Sequence, residues 1–206
     1  MQSVVVVDYG FANLRSVLNA LECFEISVSV AEAGSELKGA DKIVLPGVGS
    51  FDAGIRELRR RGHEEALAET VLDKKTPYLG ICVGMQFLYE GSEEGVEPGL
   101  GWIKGTVTKF PEGPGKPKVP HIGWNAVRKS KESRLFNDLA EESDFYFVHS
   151  YSAPVGGTDD SWVAGICDYG YPFAAAVEKD HISATQFHPE KSQLAGMKLI
   201  QNFLEI

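Results

Sequence analysis

Val4-Val5-Val6-Val7 is an unbroken β-branched run that stops at Asp8-Tyr9-Gly10, and Leu14, Val17, Leu18 and Leu21 follow it at helical spacing. A short run without polar alternation suits a strand covered on both faces, and such a strand needs a helical layer on each side of its sheet. Asn13 stands where it would cap the first turn of the helix. The same unit recurs. Ile26 to Val30 reads as a strand, Lys42 to Leu45 as another that breaks at Pro46-Gly47-Val48-Gly49, and Ser50 to Arg61 and His63 to Leu72 as helices. Pro77 to Ile81 reads as a further buried strand, with Val83 to Tyr89 continuing as helix. This alternation predicts an α/β fold, a doubly wound and mostly parallel sheet flanked by helices, with its binding residues at the carboxyl ends of the strands.

From about Gly101 the vocabulary changes. Ile103 to Lys109, Ile122 to Val127, Phe145 to Val148, Trp162 to Cys167 and Phe173 to Val177 are strand-like segments joined by turns. They predict additional antiparallel strands in the C-terminal half, in the same sheet or in a small one beside it. Pro111 to Pro120, with four prolines and two glycines, is a surface loop. Leu194, Met197, Leu199, Ile200 and Phe203 mark a closing helix. The 206 residues show no composition break, so one domain spanning 1–206 is expected.

Charge and cysteine usage narrow the function. A net charge of −9 provides no basic field for nucleic acid or an anionic membrane. Three cysteines without paired spacing suggest neither a disulfide framework nor a zinc site, and no apolar run approaches a bilayer span. With no export signal at the amino terminus, a cytoplasmic protein without metal or cofactor is the expectation.

The most informative segment is Gly80-Ile81-Cys82-Val83-Gly84-Met85-Gln86. A cysteine between glycines, where a buried strand turns into a helix, projects its side chain from the sheet edge, and the amide groups of the helix start favour a thiolate. Cys82 could instead be a small buried hydrophobe, the reading preferred for Cys23 and Cys167, which have no such turn. A nucleophilic sulfur cleaving an amide needs a proton donor for the leaving amine. His188 stands just after the strand-like Ile182 to Thr185, and Glu190, two residues on, can orient its imidazole. His63 and His181 read as solvated, the first in a charged helical stretch and the second at a turn. The developing oxyanion needs backbone donors. Val83 offers one, and the Gly47-Val48-Gly49 loop a second. That loop could alternatively cradle phosphate, but it lacks the lysine followed by Ser or Thr of a nucleotide loop.

The Gly80 to Gln86 elbow, taken with His188-Pro189-Glu190 and Leu45-Pro46-Gly47-Val48-Gly49, resembles the class I glutamine amidotransferases. Asp8-Tyr9-Gly10, Asn13-Leu14-Arg15-Ser16, Pro120-His121-Ile122-Gly123-Trp124-Asn125 and Phe147-Val148-His149-Ser150-Tyr151 are similar to the glutaminase subunits of imidazole glycerol phosphate synthases in histidine biosynthesis. One departure is Ala12, where that group usually has glycine, so a positive φ is not expected there.

The resemblance implies a glutaminase that forms a cysteine thioester at Cys82 and passes ammonia to a (β/α)8-barrel cyclase subunit in a heterodimer. It implies that Gly49, Gln86, Glu94, Ser150 and Tyr151 hold L-glutamine, and that Asn13, Trp124 and Lys191 lie at the subunit interface. It also implies weak hydrolysis until the barrel docks, with rearrangement of the Gly47-Val48 peptide. Glu94 belongs to an acidic run that could simply be a solvated face, and Trp124 could be a half-buried aromatic. Other readings are the glutaminase of a different ammonia-channelling synthase, such as the pyridoxal phosphate one, a free-standing cysteine hydrolase or peptidase, and a catalytically silent binding subunit.

Overall fold

The computed structural model describes residues 1–206. In chain order its elements are β1 (Ser3–Val7), α1 (Leu14–Leu21), β2 (Ser27–Ala31), β3 (Lys42–Gly47), α2 (Phe51–Arg60), α3 (His63–Leu67), β4 (Tyr78–Cys82), α4 (Val83–Gln86) and β5 (Tyr89–Ser92). There follow β6 (Ile103–Lys109), β7 (His121–Lys129), β8 (Glu142–His149), β9 (Tyr151–Ser152), β10 (Val163–Asp168), β11 (Pro172–Lys179), β12 (Ile182–Thr185) and α5 (Gln193–Glu205).

Nine strands form one sheet in the order β2-β1-β3-β4-β12-β11-β10-β7-β8. β1, β2, β3 and β4 pair in parallel, as the alternating strands and helices predict. Apolar β-branched strands fill its middle: Val4, Val6, Val7, Ile43 and Leu45 are all fully buried. From β11 onward the pairing through β10, β7 and β8 is antiparallel, so most late strands join the same sheet. β6 instead makes a small sheet with β5 and β9, so both expected outcomes for the second half occur together.

β12 runs parallel to β4 although nearly a hundred residues separate them, with Ala184 opposite Gly80 and Thr185 opposite Ile81. On the other flank of β4, Gly47 of β3 lies opposite Cys82. Three strand ends, at Gly47, Cys82 and Thr185, therefore meet at one edge of the sheet, the position that parallel α/β topology reserves for ligands.

Three local expectations are corrected. The helix expected over Val83 to Tyr89 is one turn, Val83–Gln86, because Tyr89 and the residues after it pair with β6. Asn13 precedes α1 but its side chain makes no capping hydrogen bond. His63 is fully buried, with Nε2 3.4 Å from the Asp8 carbonyl oxygen. It faces the core from α3 while Glu64 pairs with Arg59, so the charged neighbours that suggested a solvated site lie elsewhere around the helix. Ala12 is absent from the residues with positive φ, as expected for a residue with a Cβ.

Candidate active site

Cys82 is the last residue of β4 and has φ +56° and ψ −107°, a combination that L-residues rarely adopt. The glycines around it are forced by backbone. A Cβ on Gly84 would lie 1.9 Å from the Leu45 carbonyl oxygen, and one on Gly80 would lie 2.7 Å from the Gly84 carbonyl oxygen. The chain can therefore turn from β4 into α4 only where those two positions carry no side chain. Val83 is the first residue of α4, so its N–H has no acceptor within that helix.

The turn after β12 brings His188 to the same edge. Its Nδ1 is 2.8 Å from Glu190 Oε1, and both side chains are almost completely buried. A carboxylate on Nδ1 leaves Nε2 as the working nitrogen, and Nε2 has no partner with hydrogen-bond geometry. Burial by itself lowers the His188 pKa, but the neighbouring Cys82 sulfur and the Glu190 carboxylate outweigh it and raise it to about 10. The charge of Cys82 also helps hold the buried Tyr9 hydroxyl well above its ordinary pKa, after burial itself.

A cleft of about 450 Å³ opens over the sulfur. Gly49, Gln86, Glu94, Ser150 and Tyr151 all line it, together with Cys82 and Val83. Gln86 is buried, and its Nε2 donates to the Tyr151 carbonyl (3.1 Å) and to Gln186 Oε1 (3.0 Å). Glu94 Oε2 accepts from the Phe51 N–H at 2.9 Å, so one of its oxygens is committed to the start of α2.

The Gly47-Val48-Gly49 loop is set in one particular conformation. Gly49 has φ +88°, and the Val48 N–H donates to the Phe11 carbonyl oxygen at 2.8 Å. The Val48 amide is thus turned to β1's following loop and is unavailable to an anion above Cys82. Gly47 cannot carry a side chain, since its Cβ would lie 2.3 Å from the Tyr9 hydroxyl.

Outside the cleft, Trp124 is 45% exposed and packs edge-on against Tyr146, ring centroids 6.0 Å apart. Lys191 places Nζ 5.9 Å over the same Tyr146 ring. Asn13 is exposed at the start of α1, which packs against the Pro189–Lys191 turn. Trp124 and Lys191 thus converge on Tyr146, and Ile122, 58% exposed on β7, extends the apolar surface.

Two side chains at the site are not among those picked out from the sequence. Gln186 donates from Nε2 to the Cys82 sulfur at 3.6 Å. Buried Ser192 donates to the His188 carbonyl (2.6 Å) and accepts from the Tyr146 N–H (3.0 Å), tying the His188 turn to β8. Proximity to the His-Pro-Glu segment was the only signal for either.

A cysteine on a strained strand-to-helix turn, a buried His-Glu pair beside it and a cleft above it that presents Gln86, Glu94 and Ser150 define a cysteine amidohydrolase on a doubly wound sheet. The Glutamine amidotransferase class-I family matches residues 5–206, and the chain belongs to that family, within it to the imidazole glycerol phosphate synthase subunit HisH group. It is 43% identical over 203 residues to the imidazole glycerol phosphate synthase subunit HisH 2 of Pseudomonas aeruginosa, covering 98% of this chain and 99% of that protein. Against the HisH 1 subunit of Campylobacter jejuni the identity is 46% over 204 residues, covering 98% of this chain and all (100%) of that one. In solved structures the fold recurs in PurLQS from Thermotoga maritima, with TM-score 0.75, 20% identity and coverage of 99% and 98% of the two chains. It recurs also in the glutaminase domain of Trypanosoma brucei CTPS with bound acivicin, with TM-score 0.70, 17% identity and coverage of 100% and 94%.

Proposed function

We propose that the chain is one glutamine amidotransferase domain, the glutaminase subunit of an imidazole glycerol phosphate synthase. The observation that carries the chemistry is the meeting of Cys82, His188 and Glu190 beneath a cleft sized for an amino acid. The Cys82 thiolate attacks the γ-carboxamide carbon of L-glutamine, and the carbonyl oxygen becomes an anion facing the Val83 N–H. His188, oriented by Glu190, gives its Nε2 proton to the departing ammonia as the C–N bond breaks, leaving a thioester. Water then attacks the thioester, losing its proton to His188, and glutamate is released as the sulfur leaves. Gly49, Gln86, Glu94, Ser150 and Tyr151 hold the amino acid.

The ammonia serves a (β/α)8-barrel cyclase docked over Asn13, Trp124 and Lys191, because ammonia released into water would be protonated and diluted. The Val48–Phe11 hydrogen bond supports a resting state that lacks the second oxyanion donor, an omission worth about 3 to 4 kcal/mol of barrier. Docking of the barrel with its nucleotide substrate rotates that peptide.

The test is a glutamine assay with and without a barrel cyclase and its ligand. The isolated chain is expected to run at least about a hundredfold slower than the complex. Cys82→Ala is expected to abolish glutamine use while the complex still accepts ammonia. Normal glutamine turnover by the Cys82→Ala complex would remove the assignment, and equal rates for the isolated chain and the complex would favour a free-standing hydrolase.

A further inference from the structure

A chain of hydrogen bonds that the reaction above does not use begins in the cleft wall, of which His149 is a part, and runs into the core behind it. Asn125 Nδ2 is 2.6 Å from His121 Nε2, His121 Nδ1 is 2.9 Å from His149 Nε2, and His149 Nδ1 is 2.8 Å from the Tyr151 carbonyl oxygen. His121 and His149 face each other across β7 and β8. His121 is fully buried and His149 is 7% exposed. The rings packed on them are those of Phe110, Phe147, Phe173 and Tyr169.

The proton positions follow from the chain's far end. A backbone carbonyl only accepts, so His149 Nδ1 must carry a hydrogen. If the ring is neutral, its Nε2 accepts, His121 Nδ1 must then be the donor, and His121 Nε2 accepts from the Asn125 amide. The alternative is a cationic His149 donating at both nitrogens. That would bury a charge with no carboxylate among its partners, close to a His188 that is itself held protonated. Burial holds His149 down to about 3 and His121 to about 4, in line with two neutral rings.

The Tyr151 carbonyl accepts a second hydrogen bond from Gln86 Nε2, whose other hydrogen goes to Gln186 Oε1. With both amide hydrogens committed, Gln86 presents its oxygen to the cleft. We propose that His121 and His149 are positioning residues: a pair of neutral Nδ1–H tautomers that locks the Tyr151 carbonyl and, through it, the orientation of the Gln86 amide against the substrate. The part concerning substrate rests on the glutaminase reading. The tautomers do not.

Two measurements test it, the first on the full-length chain and the second on its complex with a barrel cyclase and that subunit's ligand. In long-range proton–nitrogen spectra of histidine-labelled protein, His121 and His149 are expected to show protonated Nδ1 and bare Nε2, unchanged from pH 6 to pH 8. An Nε2–H tautomer or a titrating ring at either position would overturn the relay. The second compares His149→Phe, which keeps the aromatic packing and loses the donor, with His149→Asn, which packs poorly but keeps a donor near the Nδ1 position. The KM for glutamine is expected to rise roughly fivefold to tenfold in His149→Phe, with kcat much less affected, as for loss of one orienting hydrogen bond. His149→Asn is expected to stay within about threefold while melting at a lower temperature. If the asparagine variant lost more apparent affinity than the phenylalanine variant, His149 would be a packing residue only. A wild-type complex with the barrel cyclase and its ligand that never hydrolysed glutamine would remove the glutaminase reading, and the imidazole spectra would still decide the relay.

Discussion

At Gly84 and Cys82 the backbone, more than side-chain chemistry, dictates residue type. Cys82 occupies φ +56° because β4 and α4 meet there without a connecting loop, and Gly84 exists because the Leu45 carbonyl passes within 1.9 Å of where its Cβ would be. The listener to such a clash is backbone on both sides, so neither partner can swing away as a side chain would. Gly84→Ala is therefore expected to cost more than about 2 kcal/mol, at or above the middle of the range for overpacked cores. Calorimetry checks it, and a melting temperature within about 2 °C of wild type would mean that β3 and α4 separate easily. The elbow was legible in the sequence because its glycines are local. His63 was not: its burial depends on how α3 sits on the Asp8 carbonyl, which charged neighbours along the chain do not report.

Among the elements, α5 acts on the site without touching it. Gly196, in its first turns, packs so closely on the Pro189–Lys191 turn that a Cβ there would stand 1.9 Å from the Pro189 carbonyl oxygen. That turn carries Glu190, and Ser192 fastens it to β8 through the Tyr146 amide. Gly196→Ala should push Glu190 away from His188 Nδ1 and lower glutamine turnover by more than its loss of stability accounts for. Activity measured well below the melting temperature, where the variant is still folded, separates the two effects. Unchanged turnover would show that the turn moves as a rigid unit with His188. The short α4 carries a related lesson. Helical periodicity continued to Tyr89, but pairing of Tyr89 with Ile103 of β6 ended the helix after one turn. A partner strand supplied from farther along the chain overrode local preference.

Across the whole molecule, buried histidines set opposite limits on stability. His121 and His149 titrate below their ordinary 6.5, at about 4 and about 3, chiefly because burial excludes the charged ring. The unfolded chain takes up protons below pH 6.5 that the folded chain refuses, so their contribution is complete above that pH and is lost as pH falls toward the folded values. His188 has the reverse sign. Raised to about 10 against the burial that would lower it, it contributes fully below about 6.5 and loses that contribution as pH rises through about 10. Urea midpoints at acid, neutral and alkaline pH should form a dome, with a shallower acid limb in His149→Phe and a shallower alkaline limb in His188→Gln. An acid limb as steep in His149→Phe as in wild type would mean that His149 does not stay neutral.

The sequence alone determined the parallel βα units, the cysteine elbow and the His-Pro-Glu turn, since each is written as a pattern of residue types within a few positions of the chain. The antiparallel second half was also readable, but where its strands insert was not. Only the tertiary structure decided that β12 returns to lie beside β4, setting Thr185 opposite Ile81 and so bringing His188 to the Cys82 sulfur. The same folding turned the Val48 amide toward Phe11 and threaded Asn125, His121 and His149 into one chain. These outcomes depend on which buried polar groups remain to be paired once the sheet has closed, a condition set by the packed whole and written in no single segment.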